Sequence, residues 1–231
     1  MRGRKMKLWK RIRACVLLLF LLTGFCFLWK EEPAALAAIG KVADMEEGKK
    51  IALTFDDGPH PFYTGQLIKG LEKRGVRATF FITGANADAH PELVKELDEK
   101  GHLIGNHTYS HTQLNSKNAE AFKQEILKTN EVIKAQTGEE IIYVRPPYGS
   151  WNKEFEKELN MFPVFWTIDP LDWCSSDVNA IVKRVTTKVR DNDIILMHDQ
   201  YKTSVTAALK IVDKLQEEGY EFVTVEELLL D

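Results

Sequence analysis

Cysteine is almost missing from this chain: of three, Cys15 and Cys26 sit inside one apolar run, which leaves Cys174 alone elsewhere. An internal disulfide is thereby excluded from the rest of the chain, whose fold has to be held by its core. Residues 14–29, ACVLLLFLLTGFCFLW, form a long uncharged run that has no second counterpart. Positive charge is concentrated before it. The first thirteen residues carry seven cations (Arg2, Arg4, Lys5, Lys7, Lys10, Arg11, Arg13) and no acid, and taking these from the net charge of −3 leaves −10 for the remainder. That sign argues against nucleic acid as a partner. There is no low-complexity tract, and nothing suggests a nucleotide, flavin or other organic cofactor.

What is present begins with that basic leader, residues 1–13, cytoplasmic by the positive-inside rule and followed directly by the apolar run; together they read as an export signal. Sixteen uncharged residues fall short of the ~20 of a comfortable spanning helix, yet exceed an ordinary signal-peptide core. Ala35-Leu36-Ala37 offers a small-x-small cleavage site. The segment is expected to be a retained membrane anchor or a cleaved signal, and both place the bulk of the chain outside the cytoplasm. Residues 30–49 show no sustained period and read as a linker. Residues 50–231 are then expected to form one domain, active as a monomer.

Within that domain, apolar runs alternate with helical periodicity. IALTF, ATFFIT, LIGNHT, IIYVRPP, FPVFWTID, DIILMHD and FVTV read as seven strands apolar on both faces. Between them TGQLIKGLEKRG, PELVKELDEKG with Pro at its first position, NAEAFKQEILKTNEVIKAQTG closed by Gly138, and stretches near 152–160, 178–189 and 205–219 read as helices. Repeated βα units predict an α/β fold, a distorted barrel of about seven parallel strands. Such barrels keep their working residues at the C-terminal strand ends. Those ends hold Asp56 and Asp57, Thr83, His107, Arg145, Asp169 with Asp172, and His198; the seventh holds Val225 and Glu226.

Two adjacent carboxylates closing a strand repel each other unless a cation sits between them. His107 and His111, four apart in HTYSH, share one face if a helical turn begins there. Such pairs also arise by chance on solvated helices. With Asp57 they make a three-ligand set that leaves a position open for water, the arrangement of catalytic zinc. Asp56 is then free to act as a base. Arg145 is placed for a bidentate pair with Asp56; in YVRPPYG the backbone N–H of Tyr148 is free to face an oxyanion. Asp172 beside His198 would raise the imidazole pKa and fix its tautomer, as a general acid needs. Leu196 and Trp173 could wall a small apolar slot, although core packing is the plainer account of Leu196.

TFDDG, HTYSH, RPPYG, DPLDW and ILMHD, in this order, resemble the five motifs of the NodB-like polysaccharide deacetylases, carbohydrate esterase family 4, over roughly residues 50–231. The resemblance implies a bacterial hydrolase that removes acetyl groups from a polysaccharide, with a divalent metal, zinc above all but cobalt or another divalent ion also possible. It implies Asp56 as base, Asp57, His107 and His111 as metal ligands, Arg145 orienting Asp56, and the Tyr148 backbone as oxyanion donor. Asp172 would tune His198 as acid, with Trp173 and Leu196 around the acetyl methyl. Members acting on muramic acid in spore cortex resemble TFDNG, where this chain keeps Asp57. The implied substrate is therefore N-acetylglucosamine in peptidoglycan, with chitooligosaccharides and O-acetyl xylan as alternatives. An inactive glycan-binding domain is a further alternative, disfavoured by the complete motif set. Cys174 receives no role beyond a small buried or rim thiol.

Overall fold

The structure, a computed structural model, describes residues 48–230. The leader, the apolar run and residues 30–47 of the expected linker lie outside the described residues. Among the described residues no helix is long and apolar enough to cross a membrane. The described part is one α/β unit, and its first strand opens at Lys49, a residue before the expected boundary.

Seven strands pair in parallel: β1 (Lys49–Asp56), β2 (Thr79–Ile82), β3 (Leu103–Asn106), β4 (Tyr143–Val144), β5 (Phe162–Pro163), β6 (Ile194–His198) and β7 (Tyr220–Val223). β1 is the centre. It pairs with β2 and β6 along its second half and with β7 along its first, in register Lys49↔Tyr220 through Ala52↔Val223. Ile51, Ala52, Leu53 and Phe55 are almost wholly buried, as expected of a parallel strand covered on both faces.

Helices α1 (Tyr63–Glu72), α2 (Gly84–Ala89), α3 (Pro91–Glu99), α4 (Ala119–Thr137), α5 (Glu154–Leu159), α6 (Val178–Thr186), α7 (Lys202–Glu217) and α8 (Val225–Leu230) follow the strands. The expected punctuation holds: Pro91 opens α3, and Gly138 closes α4 at φ 82°, a left-handed cap that glycine adopts without steric cost. Asp177 caps α6 by accepting from the N–H groups of Asn179 and Ala180.

Three expectations about the strands need correction. FPVFWTID is not one strand: Phe162–Pro163 pairs with β4, and Ile168 alone bridges to Ile195 of β6. The ladder breaks because the Arg145 side chain takes the carbonyls of Val164 and Phe165. IIYVRPP pairs only over Tyr143–Val144, since Pro146 and Pro147 have no N–H to donate. FVTV stops at Val223, and Val225 and Glu226 belong to α8 at the far end of the sheet from the other strand ends. There the Val225 N–H donates to Thr79 Oγ1, at the first residue of β2. One consequence of the broken β5 is architectural. The stretch 162–168 is hydrogen-bonded to β4 at one end and β6 at the other, so it joins the two edges of the sheet.

Candidate active site

The end of β1 delivers Asp56 buried and Asp57 half-buried, and in β6 His198 is the register partner of Asp56. Asp57 takes φ 72°, which turns its carboxylate away from the strand direction. HTYSH is not a helical turn, contrary to the sequence expectation. It is a loop in which Thr108 and His111 have φ 62° and 57°, and these two left-handed residues fold His111 back beside His107, ring centroids 4.9 Å apart. Thr108 Oγ1 accepts the Thr112 N–H across the fold.

The two imidazoles and Asp57 fit a cation. Each Nε2 lies 3.4 Å from Asp57 Oδ1, about the spacing of two ligand atoms on a tetrahedron with bonds of ~2.05 Å. Asp57 Oδ1 is buried without a hydrogen-bond partner among the described residues, and the three ligand atoms lie within 4.8 Å of one another. The Arg145 carbonyl accepts from His107 Nδ1 at 2.6 Å, which leaves the Nε2 lone pair bare towards Asp57. Burial raises the Asp57 pKa, but His107, His111 and His198 outweigh it and hold the carboxyl below its ordinary value. Burial lowers the His111 pKa more than Asp57 raises it, which favours the neutral ring that a ligand has to be.

Arg145 is wholly buried, and its pair with Asp56 is single rather than bidentate. Nη1 donates to Asp56 Oδ1 at 2.8 Å and to Thr54 Oγ1 at 2.6 Å, while Nε and Nη2 serve the carbonyls of Val164 and Phe165. Having four acceptors on two chain segments, β1 and the stretch 162–168, fixes the guanidinium, and through it Asp56. On the opposite wall Asp172 accepts twice from His198, from the backbone N–H and from Nδ1, both at 2.9 Å. Burial lowers the His198 pKa, but Asp172, with Asp56 and Asp57 behind it, raises it to about 9.

Asp56, Asp57, His107, His111 and His198 line a cavity of about 340 Å³ together with Tyr148, Trp173 and Leu196, whereas Arg145 and Asp172 stand behind its wall. Tyr148 sits in a short turn, Pro147–Gly149, at φ 58°, and its side chain is exposed. Leu196 is buried at the cavity floor and Trp173 is half exposed at the rim. Asp169 lines the same cavity, and Thr83 lines a neighbouring one that shares Asp57 and His111. Cys174 is exposed rather than buried.

A curled sheet of parallel strands with this cluster at one end has known counterparts. The polysaccharide deacetylase family model matches residues 43–164, more than half of the chain. The chain belongs to the polysaccharide deacetylase family. The peptidoglycan-N-acetylglucosamine deacetylase PgdA of Listeria monocytogenes is 37% identical over 190 residues, covering 82% of this chain and 41% of PgdA. The peptidoglycan-N-acetylmuramic acid deacetylase PdaC of Bacillus subtilis is 39% identical over 78% of this chain and 38% of its own length. Its solved structure superposes with a TM-score of 0.76, covering 79% of this chain and 90% of that one. A peptidoglycan-N-acetylglucosamine deacetylase of Bacillus cereus is 38% identical over 78% of this chain and 88% of its length. The chain thus spans about two-fifths of PgdA and PdaC.

Around this site stand residues that the sequence reading did not single out. Trp166 lines the cavity and lies under the Arg145 guanidinium, 5.7 Å from ring centroid to Cζ. Glu125 of α4 accepts the Ser110 N–H at 2.6 Å and the Ser110 hydroxyl at 2.9 Å, tying the histidine loop to a helix. Asp199 is wholly buried next to His198; burial chiefly, then the charge of Asp57, outweigh the Thr64 hydrogen bond and push its pKa up to about 7. The DD and HTYSH patterns announce charge and imidazole, whereas Glu125 is an ordinary acid in an amphipathic helix and carries no such signal.

Proposed function

We propose that this chain is a divalent-metal-dependent hydrolase that removes N-acetyl groups from N-acetylglucosamine residues of peptidoglycan. The observation that carries the reading is the pairing of Asp56 with His198 on adjacent strands, one fixed by Arg145 and the other by Asp172, across from the Asp57, His107 and His111 cluster. A divalent ion held by that cluster, zinc in our reading, supplies Lewis acidity that acidifies water and polarises the acetyl carbonyl. Asp56 accepts a proton from the attacking water. The Tyr148 N–H donates to the carbonyl oxygen as it gains charge. His198 gives its proton to the nitrogen that leaves, because amines depart poorly unless protonated. Trp173 and Leu196 wall the slot for the acetyl methyl. The basic leader and the apolar run at 14–29 support action outside the cytoplasm, anchored to the membrane or secreted.

The relative PdaC is named for muramic acid, so the test has to read both sugars. Purified protein is stripped with a chelator, incubated with peptidoglycan, and reloaded with zinc; acetate release is measured, and the sugar bearing the new amine is located by tandem mass spectrometry of the muropeptides released by a muramidase. We expect acetate only with metal, and free glucosamine rather than muramic acid as the new amine. Release from chitin oligomers or O-acetyl xylan but not from peptidoglycan would replace the substrate and keep the site. No release from any polymer under any divalent metal would overturn the enzymatic reading in favour of a glycan-binding domain.

A further inference from the structure

The turn that carries Asp57 is held from behind by the segment that carries His198. β6 ends at His198, and the next two residues, Asp199 and Gln200, both reach back to the turn after β1. Gln200 Nε2 donates to the Asp57 carbonyl at 3.2 Å, and Asn86 Nδ2 of α2 donates to the same oxygen at 2.7 Å. The Asp199 carboxylate lies flat against Gly58: a Cβ there would meet its two oxygens at 2.5 and 2.8 Å, so only glycine fits. Asp199 Oδ2 accepts from the Thr64 hydroxyl, and Thr64 Oγ1 in turn accepts the His60 N–H at 2.6 Å. Asp199, Gln200, Thr64 and Asn86 are all absent from the lining of the cavity that holds Asp56 and His198. The Gln200 and Asn86 contacts converge on Asp57, a residue in a left-handed conformation, which persists only where its surroundings over-determine it, while Asp199 and Thr64 hold Gly58 and His60 just after it.

We propose that Asp199 and Gln200 are positioning residues that lock the cation-binding turn at Asp57 to the strand end bearing the proton donor His198. Asp199 acts through Thr64 on the His60 end of the turn, and Gln200 acts on its Asp57 end. The inference rests on the proposed roles of Asp57 and His198. It explains why a carboxylate is kept in the interior, where a charge is costly to desolvate: it braces the cation site without entering it.

The test is the zinc affinity of the full chain, read by competition with a chromophoric chelator in the absence of substrate, alongside kcat, KM and melting temperature. Thr64→Val removes the link to Asp199, Thr64→Ser keeps it, and Gln200→Ala removes the second contact. We expect Thr64→Val and Gln200→Ala each to weaken zinc binding about tenfold, Thr64→Ser to stay within about twofold of the parent, and kcat rather than KM to fall. If Val at 64 does not fold, Thr64→Ala, favourable in a helix, gives the same comparison. Zinc affinity of the Thr64→Val/Gln200→Ala double variant within about twofold of the parent, whatever its melting temperature, would overturn the proposal. Because no substrate is present, that outcome is separate from failure of the acetate assay, which tests the deacetylase reading.

Discussion

Arg145 is a large cation with no solvent exposure, and the residues at its tips explain why the chain tolerates it. Three of its four acceptors are neutral oxygens and one is the carboxylate of Asp56, so the charge is neutralised once and the geometry is set three more times. Asp56→Asn keeps an oxygen for Nη1 but removes the proton acceptor. We expect zinc affinity within about twofold and kcat lower by about 10²–10⁴, read by metal titration and acetate release. His198 must be protonated to serve the leaving amine, so activity should fall as pH rises through its pKa, which Asp172 holds above the ordinary imidazole value. Asp172→Asn removes the largest contribution raising it, and the alkaline limb of kcat should move to lower pH. A limb that stays in place would show that another group sets it. At this scale the sequence was informative where chemistry forces unusual neighbours, as in DD or HTYSH. It was silent on Asn86, Gln200 and Trp166, whose importance comes only from what folds against them.

At the scale of elements, the periodic segments were legible and the irregular ones were not. α4, with apolar positions Phe122, Ile126 and Ile133 on one face, and the buried strands β1, β2 and β6 follow directly from pattern. α2 was not foreseen, because GANADA has no apolar stripe; it forms because Gly84 seats it against α4 and the histidine loop. A Cβ at Gly84 would lie 2.4 Å from the Tyr109 ring and 2.6 Å from Thr129 Oγ1. Gly84→Ala should therefore destabilise the domain by about 1–3 kcal/mol, measured by denaturant unfolding, and loosen the loop bearing His111. β5 was over-read because apolar residues flank it on both sides, whereas the carbonyls of Val164 and Phe165 just beyond it are committed to Arg145. Side-chain demand on main-chain carbonyls leaves no periodic trace.

The whole molecule couples its stability to the same groups. His198 titrates near 6.5 when unfolded and at about 9 when folded, so its contribution is complete below pH 6.5 and disappears as pH rises through 9. The metal-free protein should melt lower at pH 9.5 than at pH 6.5, and Asp172→Asn should shrink that difference. A cation bound only by the folded state adds about 2.7 kcal/mol at a hundredfold excess over Kd, which corresponds to a rise in melting temperature of about 5–10 °C for a domain of this size. Calorimetry with and without zinc reads it, and an unchanged melting temperature would count against the Asp57, His107 and His111 centre.

Among the described strands β1 is made first and β6 and β7 last, yet they are neighbours in the sheet. A chain emerging amino-terminus first has Asp56 and Asp57 in hand for some 140 residues before His198 arrives to stand beside them. Until then β1 has β2 on one side and nothing along the edge that β6 will fill. The cluster at the end of β1 therefore gains its His198 neighbour only once β6 has been made, and a polypeptide that stops short of β6 carries Asp56 and Asp57 without it. Any activity in the compartment where the chain is made would have to wait for its last strands, which makes the order of delivery itself a safeguard.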